Sequence, residues 1–257
     1  MSAEQPVRVW TANGFEAVET EVGEPLAADS WLVVDGRVLA WQLHQLRFAD
    51  AVVDAGGDRR DALSAARAAM RLVPEGRWSP RLDLTREGLF LRVRPVPLQF
   101  DRVEVVTAHR DPRSRPLRKG PDLEALGRLQ EEETARVGAA VEPVLLSRGL
   151  VAEGAWSAVL WWQDDALHVP EQDVVRLPSV TAAVIEQTAR LDGVEVRRLA
   201  ARPADLEGCE VWLANALRGI RGVTAWHGGP AVAPPLRVAA WRARLEQLRT
   251  RPITGRP

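Results

Sequence analysis

Residues 110–121, RDPRSRPLRKGP, carry three prolines and no apolar periodicity, so neither a helix interior nor a central strand can run through them. The chain must fold on either side of this stretch, which reads as a linker or an exposed loop. A domain boundary near it predicts a first unit over residues 1–108, a connector over 109–121 and a second unit over 122–257.

Hydrophobic patterning fills in both sides. In the first unit, strands are predicted over 7–10, 31–35 and 38–41, the last two joined by the hairpin turn Asp35-Gly36. Helices follow over 43–54 and 59–72, then a second hairpin, 81–84 with 89–94, turning near Glu87-Gly88. Past the connector, Asp122 is placed to cap a helix over 122–138 with Leu123, Leu126 and Leu129 as its apolar stripe. Strands over 144–146, 155–162 and 166–169, a helix over 180–191, strands over 194–199, 210–214 and 222–226, and a closing helix over 235–248 complete the pattern. The predicted class is α+β, with a small α+β first unit and a larger mixed α/β second unit.

Composition narrows the function classes. With 46% hydrophobic and 27% charged residues the chain has the make-up of a soluble globular protein. It has no apolar run of the roughly 18–20 residues that a membrane helix needs. The opening MSAEQPVRVW lacks the basic and then apolar stretch of a signal peptide, so a cytoplasmic protein is expected. The 34 basic and 35 acidic residues are interspersed, which argues against a nucleic-acid partner. Cys209 stands alone and His168 and His227 lack ligand-spaced partners, so neither a disulfide nor a metal site is expected.

Lys119 is the single lysine among the 34 basic residues, and Tyr is absent. Arginine stays protonated and forms no stable imine, whereas a desolvated lysine becomes a nucleophile or base. Lys119 is therefore a candidate, chance survival in an arginine-rich chain being the alternative. Glu153, followed by Gly154, ends a β-rich segment. Leu177-Pro178-Ser179-Val180-Thr181 opens a helix and offers N–H groups and hydroxyls to a phosphate, or simply an N-cap. Arg92 and Arg94 share a strand face that suits either a substrate carboxylate or solvent. His109 and Arg110 are weaker candidates of the same kind, Trp161 and Trp162 read as core or interface, and Arg197 and Arg198 as surface.

In order and spacing these pieces resemble the class IV aminotransferase family, the fold-type-IV pyridoxal-phosphate enzymes, over residues 31–226. WLVVDGRVLAWQLHQLRFADA resembles the family's strand, Asp-Gly turn, strand and His-x-x-Arg-Leu helix, which implies that Arg47, preceded by His44, binds the cofactor phosphate. Lys119 falls at the Schiff-base lysine. Glu153-Gly154 resembles the Glu-Gly whose carboxylate holds the pyridine nitrogen. LPSVTAAVI resembles the Leu-Pro-Gly-Ile-Thr-Arg phosphate turn, implying Ser179, Val180 and Thr181. EVWLANALRGIRGV resembles the closing strand and loop, implying Asn215 and Ala216 at the cofactor. The sequence departs from the family at Ser179, Ala182 and Ala158, and the Gly-Asp-Gly-x-Phe-Glu-Thr motif is not recognisable before Trp31.

The resemblance implies a D-amino-acid aminotransferase-like fold, pyridoxal 5′-phosphate as cofactor, a small amino or carboxylate substrate and a homodimer. It implies that Lys119 also serves as the base, helped by the neighbouring charge of Arg118, with Arg92 and Arg94 on the substrate. Asn215-Ala216-Leu217 looks most like the aminodeoxychorismate lyase version, which forms 4-aminobenzoate and pyruvate. An aminotransferase for a small, branched-chain or D-amino acid is the alternative, and a family member that keeps the fold without chemistry is a third.

Overall fold

The structure, a computed structural model, describes residues 5–252. Residues 1–4, part of the opening read above for a signal peptide, and 253–257 lie outside the described residues. Backbone contacts divide the chain into two compact units: Met1–Leu98 with Arg118–Pro121 and Leu248–Pro257, and Gln99–Leu117 with Asp122–Gln247.

The first unit holds β1 (Val7–Thr11), β2 (Gly14–Val18), β3 (Ala27–Ser30), β4 (Val33–Val34), β5 (Arg37–Val38), β6 (Arg77–Leu84) and β7 (Leu89–Pro95), with α1 (Trp41–Asp54) and α2 (Arg59–Arg71). The strands pair antiparallel in the order β2-β1-β7-β6-β4-β5, and β3 also joins β6. Asp35 and Gly36 both take positive φ, 48° and 73°, the geometry that a tight hairpin turn between twisted strands demands. On α1 the buried positions Trp41, His44, Phe48, Ala51 and Val52 recur every three or four residues and so share one face. The facing stripe of α2 is all alanine, Ala62, Ala65, Ala66 and Ala69, small enough for the two helices to lie close. Phe48, Leu82 and Leu91 are sealed in this core, each worth roughly 1.5–3 kcal/mol of burial.

The second unit holds β8 (Arg102–Thr107), β9 (Val141–Ser147), β10 (Leu150–Gly154), β11 (Ala158–Gln163), β12 (Ala166–Pro170), β13 (Val196–Leu199), β14 (Glu210–Asn215) and β15 (Gly219–His227). Its helices are α3 (Leu123–Val137), α4 (Val180–Leu191) and α5 (Val238–Gln247). The strand order is β10-β9-β8-β15-β14-β11-β12-β13, and a further pairing, Glu153 with Ala158, brings β10 back to β11. Trp162, Trp212 and Trp241 meet edge-on or tilted, ring centroids 5.5–5.7 Å apart, and pin α5 to the sheet.

Several expectations are revised. The predicted strand over 155–162 starts only at Ala158, because Gly154 and Ser157 close a turn through paired backbone hydrogen bonds of 2.7 and 3.3 Å. The predicted strand over 31–35 shrinks to Val33–Val34, and the pairing segment before it is β3, whose Asp29 and Ser30 hide it from apolar patterning. No element is predicted over β2 or β8; in β8, Arg102, Glu104 and Thr107 dilute the valines. Asp122 does stand at the start of α3 but does not cap it: its carboxylate accepts instead from Ser114 Oγ (2.7 Å) and Arg115 N–H (3.1 Å). The expected first unit runs to residue 108, whereas β8 pairs with β9 and β15 in the second unit's sheet.

The part of the expected connector that belongs to the first unit is Arg118–Pro121, held where Ala28 N–H donates to the Lys119 carbonyl at 2.7 Å. Gly120 there has φ +138°, and a Cβ on it would lie 2.8 Å from Ala27 Cα. Gly120→Ala is expected to lower unfolding stability by at least about 1–3 kcal/mol, from backbone strain alone, in urea titrations.

Candidate active site

In the first unit the candidate reactive group is Lys119, half-buried, with its ammonium deeply set and donating to Ser30 Oγ at 3.0 Å. Burial pushes its pKa down to about 8; Asp29 opposes that shift, and the guanidinium groups of Arg47, Arg81 and Arg94 reinforce it. Arg118, expected to be the neighbouring cation, pairs instead with Asp54 at 2.9 Å and is not among these causes.

Ser30 is held by its neighbour Asp29, a fully buried carboxylate on β3. Asp29 accepts from Ser30 N–H (2.6 Å), His44 Nδ1 (3.1 Å), and Arg47 Nε (2.8 Å) and Nη2 (2.7 Å). Facing a carboxylate, His44 Nδ1 carries its proton, and burial lowers the imidazole pKa. Burial works to raise the Asp29 pKa, but Arg47 and His44 outweigh it and hold the carboxylate far below its usual range. The His-x-x-Arg spacing on α1 thus delivers both side chains to one acid. Arg47, expected at the cofactor phosphate, has this edge of its fork committed to Asp29.

Arg92 and Arg94 do share one face of β7, as expected. Opposite them on β6 lie Arg81, which faces Arg92, and Ser79, which faces Arg94. Asp83, fully buried, takes Arg81 Nε on one oxygen (2.6 Å) and Arg92 Nε and Nη2 on the other (3.0 and 2.6 Å). Among the described residues Arg94 reaches only Ser79 Oγ, at 3.3 Å, and its buried Nε has no partner; burial with the nearby arginines pushes its pKa down to about 10. Three guanidinium groups around one carboxylate leave net positive charge on this face. Asp29, Ser30 and Arg81 are the site residues that sequence reading missed; the alternation Ser79, Arg81, Asp83 opposite Arg92 and Arg94 was the available signal.

In the second unit Glu153 ends β10 and is nearly buried. Its Oε1 accepts from Leu177 N–H at 3.0 Å and from Arg113 Nη1, while Oε2 takes neither. The Leu177 bond ties Glu153 to the segment that opens α4. Burial pushes the Glu153 pKa up to about 7 despite Arg113. At the start of α4 the Ser179 hydroxyl accepts from Ala182 N–H at 3.2 Å, a true N-cap, which leaves the Val180 and Thr181 N–H groups without intrahelical partners. Gly154 has no room for a side chain: a Cβ would meet Glu142 Oε1 at 2.6 Å. Glu142 is itself buried with Arg221, whose Nη2 also reaches Ser157 Oγ at 2.9 Å.

Asn215 donates to the same Ser157 Oγ at 3.0 Å, and its own carbonyl caps Leu217 and Arg218 N–H (3.1 and 2.8 Å), so it shapes the β14–β15 turn that contains Ala216. His109 and Arg110 are bound to Glu133 and Glu132 of α3. Trp161 is core, stacked on His168, and Trp162 is buried beside it. Arg197 and Arg198 are exposed and paired with Glu195 and Glu186.

Each unit carries groups of the kind that pyridoxal phosphate requires: the first an amine of lowered pKa, the second a carboxylate oxygen that neither Arg113 nor Leu177 engages and a helix start whose first N–H groups lack intrahelical partners. Residues 26–226 match the amino-transferase class IV family, and the chain belongs to it. It is a fold-type-IV enzyme, a pyridoxal-phosphate-dependent transaminase or lyase. Similar solved structures include a hypothetical aminotransferase from Mycobacterium tuberculosis in its alpha-ketoglutarate and PMP bound form, 20% identical, TM-score 0.76, covering 95% of this chain and 98% of that one. A branched-chain amino acid aminotransferase from Escherichia coli is 16% identical, TM-score 0.73, with 95% and 92% covered. A putative 4-amino-4-deoxychorismate lyase from Legionella pneumophila is 15% identical, TM-score 0.71, with 86% and 90% covered. At these identities the likeness concerns the fold. No curated protein matches the chain in sequence. Among the described residues no helix is long and apolar enough to cross a membrane.

Asp29→Ala is expected to cost about 3–5 kcal/mol of unfolding free energy at pH 7, because it removes the buried acid that both His44 and Arg47 bind. The folded pKa of Asp29 lies below the ordinary 3.8, so this contribution is present above that pH and lost as pH falls below it. Urea titrations across pH 3–7 should show the gap between parent and variant narrowing on the acid side.

Proposed function

We propose that Lys119 bonds the cofactor aldehyde and afterwards moves the substrate proton, that Glu153 faces the ring nitrogen, and that Val180, Thr181 and the capped start of α4 take the phosphate. Arg47 supports the phosphate from its place on α1, beside Asp29. Bound pyridoxal phosphate supplies an electron sink for the carbon that bears the substrate nitrogen. The chain's own contribution is a lysine that is a base near neutral pH, a carboxylate that balances a protonated ring nitrogen, and arginines that orient an anionic substrate. The observation that carries the reading is the placement of the only lysine, its ammonium against Ser30 and within the field of Arg47, Arg81 and Arg94.

The first reading of the reaction is lysis of an aminodeoxychorismate-type substrate to 4-aminobenzoate and pyruvate in a cytoplasmic homodimer. The tight Asn215-Ala216-Leu217 turn supports it, as does the absence of any tyrosine to follow the lysine. A second reading, transfer of an amino group to an oxo acid, is favoured by the net positive charge that remains when Arg81, Arg92 and Arg94 share the single carboxylate of Asp83, which suits an acceptor with two carboxylates.

Two measurements test this. Borohydride should fix pyridoxal phosphate covalently to the chain at a rate that climbs with pH to a midpoint near 8, because the Lys119 ammonium must lose its proton first. Fixation to a Lys119→Ala protein would defeat the assignment. The loaded enzyme should then release 4-aminobenzoate and pyruvate from aminodeoxychorismate with no oxo acid added; turnover only with an amino acid and an oxo acid would give the second reading.

A further inference from the structure

The carboxylate of Glu153 has a cation on it that belongs to the chain. Arg113 is nearly buried at its side chain and bridges two acids: Nε and Nη2 fork onto Asp111 at 2.8 and 2.6 Å, and Nη1 reaches Glu153 Oε1. Because the Arg113 Nη1 and Leu177 N–H bonds both fall on Oε1, the other oxygen is left to a further partner. Taking Glu153 as the ring-nitrogen partner proposed above, we propose that Arg113 is its resident counter-ion. It is a positioning residue that clamps one oxygen, keeps a larger share of the acid ionised near neutral pH while the site waits for cofactor, and presents the second oxygen to the ring nitrogen.

The charge balance around Glu153 explains why such a clamp is needed. Burial holds its pKa near 7 even with Arg113 beside it, so without that cation the acid would be largely protonated at neutral pH and could not balance a protonated ring. Arg113 is the strongest opposing influence; Leu177 N–H adds to it, Asp111 works against it, and Arg176, from the loop before α4, adds less. Arg176 is itself spent on the carbonyls of Pro170, Glu171 and Val174. Asp122 acts on Arg113 from the start of α3, and Glu142, beneath Gly154, is neutralised by Arg221. Among the described residues Arg113, though shared with Asp111, is thus the cation whose side chain reaches Glu153.

The test is a pH titration of the cofactor-free protein by carbon NMR, with glutamate labelled at the carboxyl carbon and the Glu153 signal identified by its loss in Glu153→Gln. The Glu153 midpoint, near 7 in the parent, should rise by about one pH unit or more in Arg113→Gln, the lower end of the effect of a close opposite charge. It should return toward the parent value in Arg113→Lys, which restores charge without the fork. Arg113→Met gives the same reading should the Gln variant fail to fold. A midpoint in a neutral variant equal to that of the parent, or an Arg113→Lys midpoint equal to that of the Gln variant, overturns the counter-ion. Pyridoxal phosphate binding at pH 6.5 supplies the second readout: weaker retention by Arg113→Gln supports the full proposal. A shifted titration with unchanged retention leaves the ion pair standing and removes Glu153 from the ring nitrogen.

Discussion

The Asp29 carboxylate is taken out of water entirely, and the cost of burying that charge is met by Ser30 N–H, His44 and both arms of one edge of Arg47. The arrangement fixes much else in the first unit. It sets the rotation of α1, because His44 and Arg47 must both face β3. It fixes Ser30, whose hydroxyl receives the Lys119 ammonium, while the backbone of Ala28 holds the Lys119 carbonyl. The lysine is therefore anchored at its backbone and at its tip to the strand that carries the acid. Its lowered proton affinity comes first from burial and then from the guanidinium groups of Arg47, Arg81 and Arg94, against the opposing pull of Asp29.

The second unit solves the same problem, a buried charge, with longer reach. Glu142 on β9 and Arg221 on β15 neutralise each other, and through Ser157 they bind the turn after Glu153 to the turn headed by Asn215. Glu142 also accepts from Trp156 N–H at 3.1 Å, so three turns and strands share one polar core. Such a network holds the end of β10, and with it Glu153, more rigidly than apolar contact alone, since leaving any member unpaired is expensive.

Much of this was legible in the sequence where local chemistry decides the outcome. Asp35-Gly36 announced its turn because two positive φ angles admit few residue pairs, and the Ser179 cap and α4 were visible from residue type and period. The singular Lys119 stood out by count. Asp29 did not, because it lies in a strand of small and polar residues with no apolar alternation, and its importance comes from partners on a helix that follows it. Arg47 stood out beside His44 in the His-x-x-Arg spacing, whereas its commitment to Asp29 was not legible. Arg113 was invisible for a related reason: in a segment crowded with arginines, only the fold selects the one that meets Glu153.

The glycine after Glu153 has its own consequence. Gly154 does not have a positive φ; it is a glycine for want of space, with Glu142 Oε1 standing where a side chain would begin. The two positions therefore cannot vary independently. A methyl group at 154 would push the tip of the Glu142 side chain aside and so disturb its contacts with Arg221 and with Trp156 N–H. The Glu-Gly pair reads as a two-letter motif, but sterically it is part of a three-residue lock in which the glycine is the member that leaves room.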